Sequence, residues 1–233
     1  QWVKTPGLTY GEYMKENYFS NCKYDIYPVV NISRQGAEMY CKWLQEELVK
    51  RAADKYKGMK IHVRIPTDVE WYYAASSRNK DTIYPWNSSE INSHYVPSGK
   101  DKGKNKRGCF LANFCLKKYA FSTDSMRECS ATPFKNAYTT AGFIMGEDIY
   151  TAPILSYNPN ALGFYEMSGN VAEMVLKVNL AAKESKYTPG TKGGSWNSDA
   201  EHLKLNSADE YAGQTGPSPF IGFRPLVEFI TEK

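Results

Sequence analysis

The chain of 233 residues is predicted to fold as a loop-rich α+β protein, and three observations carry that reading. Two segments hold apolar residues at helical spacing, and a third alternates apolar and polar residues as a half-buried strand does. The long stretch from Asn79 to Pro159 shows neither period and is broken by turn signals such as Tyr84-Pro85-Trp86-Asn87, Thr132-Pro133 and Ala152-Pro153. Stretches of that length without regular elements are usually functional surfaces or are tied by ions. At 42% hydrophobic and 23% charged, with 17 Gly and 12 Pro, the composition is that of a packed globular protein. No internal repeat or low-complexity linker divides the chain, so residues 1–233 read as a single domain.

The first helix follows Ser33, an N-cap residue type, and places Ala37, Tyr40, Cys41, Leu44, Leu48 and Ala52 on one face before Gly58 ends it. Lys60 to Ile65 alternates as a strand, and Pro66 stops it. Thr67 and Glu70 then stand at capping-box spacing, which predicts a short helix carrying Trp71, Ala74 and Ala75. Further on, GFYEMSGNVAEM (163–174) offers two carboxylates around a Gly-Asn turn, Gly193-Gly194-Ser195-Trp196 forms a second glycine cluster, and Ile221-Gly222-Phe223-Arg224 lies near the end.

Several function classes fall away. Lys plus Arg is 29 against 25 Asp plus Glu, a net charge of +4 that is too small and dispersed for a dedicated nucleic-acid binder. The KDKGKNKR run (100–107) lacks interleaved aromatics for base stacking and reads as a solvated loop. No apolar run reaches the roughly 18 residues that span a bilayer, so no transmembrane segment is expected in this chain. The five cysteines (Cys22, Cys41, Cys109, Cys115, Cys129) are an odd number, which leaves at least one free thiol in a monomer. Cys41 falls on the apolar helix face and reads as a small buried hydrophobe. No serine or cysteine sits in a strand-elbow motif of the hydrolase kind. His62, His94 and His202 show no metal-ligand spacing; His62 reads as a surface residue of the strand, and His202 alone lies in a chemically interesting region.

Taken together and in order, PVVNIS (28–33), YCKWL (40–44), RIPTDVEWYYAA (64–75), YPWN (84–87), TAPI (151–154), GFYEMSGNVAEM (163–174), GGSW (193–196) and IGFR (221–224) resemble the formylglycine-generating enzyme, or sulfatase-modifying factor, family. The resemblance implies a largely irregular fold with a C-type-lectin-like core, typically stiffened by calcium. Residues 1–27 diverge from the pattern, with a Tyr-rich segment (10–27) where strands are expected. NYF (17–19) and GCFLANF (108–114) look most like lipoproteins of gliding-motility and type 9 secretion machines of Bacteroidota. That finer likeness implies an extracytoplasmic protein, periplasmic or an outer-membrane lipoprotein, whose partners are envelope proteins of a larger assembly.

The family's oxidase members bind copper through two cysteines three and eight residues after the GGS serine. Here those positions hold Ser198 and Leu203, and neither supplies the soft thiolate that a cuprous ion wants. Copper is therefore not expected, and the resemblance leans towards a non-catalytic scaffold or binding domain. The alternatives are a metal-dependent oxidase or sulfoxide-synthase-type enzyme of the same family, or a lectin-like ligand-binding domain. The family's calcium ligands carry over as Glu166, the carbonyls of Gly169 and Val171, and Glu173, with Glu166 standing where a shorter Asn or Asp is usual. A second site would use Asn113, the carbonyl of Phe114 and Asp148. Hard oxygen donors of this kind suit calcium.

Overall fold

Helix α1 (Tyr10–Asn17) opens the part of the chain that the computed structural model describes, which is residues 10–51, 56, 58–94, 107–115, 151–178 and 187–231. A 3-10 turn (Cys22–Tyr24), α2 (Arg34–Arg51), β1 (Met59–Arg64) and α3 (Asp68–Ser76) follow. Then come β2 (Asn92–His94), β3 (Arg107–Phe110), β4 (Ala172–Val178), β5 (Tyr187–Lys192), β6 (Ile221–Gly222) and β7 (Leu226–Thr231). The mixed helix and sheet content agrees with the predicted α+β class. The Cys129, Thr132-Pro133 and Asp148 positions, and the basic run up to Lys106, lie outside the described residues.

Each locally signalled element forms as its sequence dictates. The Ser33 hydroxyl accepts the Gly36 amide at 3.1 Å and its carbonyl accepts the Ala37 amide, so Ser33 caps α2. Ala37 and Cys41 are buried on the inner face with Leu44 and Leu48 half-buried beside them, whereas Tyr40 stands 42% exposed and packs edge-on to Phe223. β1 runs antiparallel to β7, Ile61 opposite Phe229 and Val63 opposite Val227. Ile61 and Val63 face α2 in the core, and His62 points the other way, exposed, to Glu228 at 3.0 Å. The outward amide of Val63 is taken by the Gln45 side chain of α2 at 2.9 Å.

The Thr67 capping box is complete. Thr67 Oγ1 accepts the Glu70 amide at 3.2 Å, and Glu70 Oε2 accepts the Thr67 amide at 2.7 Å. Glu70 also receives Arg64, which is shared with Glu228. Replacing the Thr67 hydroxyl removes the bond it accepts from the Glu70 amide and the one it donates to Glu70 Oε2 while the fold stays intact, so Thr67→Ala should cost about 1 kcal/mol. Calorimetry showing an unchanged midpoint would place the start of α3 elsewhere.

A second sheet holds the centre of the molecule, in the order β5-β4-β6, with β4 antiparallel to β5 and parallel to β6. Trp71 and Ala75 of α3 bury against Met167, Val175 and Leu205, which sets α3 across β4. Buried Arg34 pins the start of α2 to this sheet, its Nη2 donating to the carbonyls of Val175 and Gly190, both at 3.0 Å. The Tyr-rich segment is core material: Met14, Tyr18 and Tyr24 pack with Val30, Val171 and Trp196. The Tyr18 hydroxyl bonds the Pro28 carbonyl and lies 2.9 Å from Thr151 Oγ1, so the N-terminal segment grips the TAPI segment.

Candidate functional site

Three groupings of polar residues meet around β4 and the glycine-rich turns on either side of it. The first centres on Glu173, which β4 carries into the interior at 5% exposure. Its carboxylate is paired with Arg224, Nη2 to Oε1 at 2.6 Å and Nε to both oxygens at 3.0 and 3.1 Å. Trp71 Nε1 adds a fourth contact at 2.8 Å. Arg224 Nη2 also holds the Tyr165 carbonyl at 2.9 Å, and the charge of Glu173 keeps the arginine's pKa raised. A carboxylate that would be costly to bury alone is thus neutralised in place.

Glu166, in a left-handed backbone conformation (φ +49°), sits one turn earlier. Its two oxygens accept the amides of Leu155 (3.2 Å) and Tyr157 (3.1 Å), clasping the loop after TAPI. Burial pushes its carboxyl pKa up, against the lowering effect of those amides. For a calcium ion, the two halves of the expected donor set differ. Glu166 is half-buried, and its two oxygens, which face the amides of Leu155, Ser156 and Tyr157, keep acceptor capacity for a hard cation. Glu173 spends its acceptor capacity on Arg224 and Trp71, so Arg224 already occupies the cation's role there.

The second grouping joins residues that the sequence placed in separate ion sites. Asn113 is buried, its carbonyl accepting the Asn170 amide at 2.8 Å and its side chain approaching Asn170 Oδ1 at 3.4 Å. Asn170 in turn pairs with Ala152 through both main-chain groups, at 2.7 and 3.1 Å. Gly169 lies at φ +76° with its amide on the Gly193 carbonyl, and a Cβ added there would stand 2.4 Å from the Asn113 carbonyl oxygen. Val171 is buried beside Trp196 and Val30, and Phe114 packs with Phe110 and Tyr84. Asp148, the remaining member of the expected second site, lies outside the described residues.

The third grouping occupies the copper-cysteine positions. Ser198 and Leu203 are both fully buried. Leu203 is packed among Tyr84, Ile91, Phe110 and Phe114. Ser198 Oγ accepts the Ser195 amide at 2.8 Å and donates to Glu210 Oε2, while the Tyr211 hydroxyl meets Ser195 Oγ at 2.7 Å. Burial raises the Tyr211 pKa to about 12, so the phenol stays protonated. Beside this cluster opens a cavity of about 420 Å³ lined by His202, Lys204 and Ser207, and a narrow crevice continues from it towards Glu210 and Tyr211.

Arg224, Trp71, Asn170, Glu210 and Tyr211 were not foreseen as site residues. For Arg224 the signal was present in the IGFR motif and lacked only its partner.

Comparison with known proteins agrees with this architecture. A search of curated protein sequences gave no match. A crystal structure of CarF is 20% identical, with a TM-score of 0.50 over 91% of this chain and 70% of that one, a likeness of fold. Treponema denticola variable protein 1 follows at 17% identity and TM-score 0.49, over 90% of this chain and 73% of that one. PvdO from Pseudomonas aeruginosa is 19% identical at TM-score 0.46, over 87% and 62%. The family model described as a sulfatase-modifying factor enzyme 1-like domain matches residues 2–229, Tyr-rich segment included, and the chain therefore belongs to the sulfatase-modifying factor family.

Proposed function

We propose that this chain is a member of the family without copper-oxidase activity, acting as a scaffold or binding domain in an extracytoplasmic envelope assembly. One observation carries the catalytic half of the reading: Ser198 and Leu203 are fully buried and committed, one to a hydrogen-bonded cluster with Glu210 and the other to an apolar core. Neither offers a thiolate, and the soft ligands that would hold a cuprous ion are missing from both positions. The envelope half rests on the lipoprotein-like NYF and GCFLANF segments.

The expected result is that copper-treated protein, incubated with a sulfatase-type cysteine peptide, yields no aldehyde by mass spectrometry. Turnover by the unmutated protein would overturn the reading. A Ser198→Cys, Leu203→Cys double variant run beside it shows whether the two thiols alone restore a site against the Glu210 carboxylate. Co-purification from native envelope in mild detergent tests the assembly.

Calcium is part of the same proposal, centred on Glu166 with the carbonyls of Gly169 and Val171, adding to the charge that Arg224 supplies at Glu173. Asn113, the Phe114 carbonyl and Asp148 make the proposed second set. An ion bound only by the folded state at roughly a hundred times its dissociation constant contributes about 2.7 kcal/mol. Chelation should then lower the melting temperature of calcium-loaded protein by several degrees. Coincident melting curves would leave Arg224 as the sole cation of this region.

A further inference from the structure

The cavity beside the Ser198 cluster has walls whose hydrogen-bonding sense can be worked out residue by residue. His202 Nδ1 lies 2.7 Å from Asp199 Oδ1, and the same oxygen accepts the backbone amides of Glu201 (3.1 Å) and His202 (3.2 Å). Burial works against the Asp199 charge, but these bonds hold its carboxyl below the usual range, so the aspartate is an anion that fixes the ring. In the neutral imidazole the proton sits on Nδ1, facing Asp199, which leaves Nε2 an acceptor. Among the described residues, no hydrogen bond to Nε2 is found.

Ser207 has the same character. Its hydroxyl proton is spent on the His202 carbonyl at 2.9 Å, so towards the cavity its oxygen can only accept. Glu201 stands at the rim, its charge shared with Lys204 at 2.6 Å, and Ile83 supplies an apolar wall. At about 420 Å³ the space falls within the range of small-ligand sites.

We propose that this cavity binds a primary ammonium group, with His202 Nε2, Ser207 Oγ and the Glu201 carboxylate accepting its three N–H donors. The ammonium is the side-chain-sized cation with three donors and no acceptor, which matches a wall of acceptors whose own protons are engaged elsewhere. The anionic Asp199 behind the imidazole and Glu210 along the crevice favour a positive guest. Lys204 and, along the crevice, Lys192 oppose it, but Lys204 is held by Glu201 and Lys192 by the Leu205 carbonyl. An alkyl chain on the guest would lie along Ile83. The proposal does not rest on the scaffold reading and stands or falls separately from it.

Titration calorimetry with 1,5-diaminopentane and with Nα-acetyl-lysine methylamide tests the site and its source together. Tighter binding of the lysine derivative identifies a protein lysine as the guest, and tighter binding of the diamine a free amine. The quaternised diamine, equal in charge but lacking N–H donors, should bind at least about tenfold more weakly. His202→Ala and Ser207→Ala should each weaken amine binding by about tenfold while melting near the parent temperature. With ¹⁵N-histidine protein, the His202 Nε2 resonance of the unmutated chain should shift on adding amine, a readout independent of any variant's folding. No saturable binding of either amine at about 10 mM, equal binding of the quaternary compound, or an unmoved Nε2 resonance would overturn the proposal.

Discussion

Glu173→Gln is expected to lower the melting temperature more than any other isosteric change in the described chain. The glutamine still accepts from Trp71, but it leaves the Arg224 guanidinium without its counter-charge in a site where Glu173 itself is 5% exposed. Breaking a buried pair costs about 3–5 kcal/mol. The Arg224 side chain remains 35% exposed, and water screens part of that cost, so about 2–3 kcal/mol is the expected loss. For a chain of this size that is roughly 5–10 °C. A double-mutant cycle with Arg224→Gln assigns the effect: the double variant should lose clearly less than the sum of the singles. Strict additivity would mean that the pair is not coupled and that Glu173 is needed for something other than Arg224.

Gly169→Ala should be comparably damaging for a different reason. The residue lies at φ +76°, where an L side chain costs about 1–2 kcal/mol. The new methyl would also meet the Asn113 carbonyl at 2.4 Å, and that oxygen cannot retreat without releasing the Asn170 amide. Overpacking of that kind adds about 1–3 kcal/mol, for a total of about 2–5 kcal/mol. Gly213→Ala is the matched control: φ is +78° but nothing lies within 4 Å, so only the backbone cost applies. Urea unfolding of the two variants side by side separates conformational strain from collision. Equal losses would mean that the 113–169 contact yields freely.

What could be read from the sequence was what is encoded within a few residues. The Ser33 cap, the apolar face through Ala37 and Cys41, the alternation of Ile61, His62 and Val63, and the Thr67–Glu70 box each depend on spacings of two to four residues. The site depended on pairings no spacing reveals. Trp71 is 102 positions from Glu173, and Arg224 is 51. The segment GFYEMSGNVAEM shows its two acidic residues, but not that Arg224 pairs with Glu173 or that Glu166 takes the amides of Leu155 and Tyr157. Asn113 is expected in one ion site and Gly169 and Val171 in another, and the fold joins the two through Asn170, 57 positions from Asn113, by one main-chain bond and a side-chain approach. The Tyr10–Tyr27 segment looked like a departure from the family because its chemistry is aromatic. Tyr18 and Tyr24 nonetheless fill the interior beside Trp196, through ring contacts and the buried Tyr18 hydroxyl on Thr151.

The Gln45 side chain on the Val63 amide has a consequence for how this molecule meets others of its kind. A two-stranded sheet offers two open borders, each a row of backbone groups on which a stray extended chain can grow. On the β1 side, α2 fills the Val63 position with a side-chain carbonyl, so that border is interrupted. The β7 border carries Phe229 and Ile230, both nearly half exposed, with no comparable plug among the described residues. Any strand-to-strand self-association of this sheet is thereby directed to one side, which makes β7 the border to protect with a charged residue when the protein is concentrated.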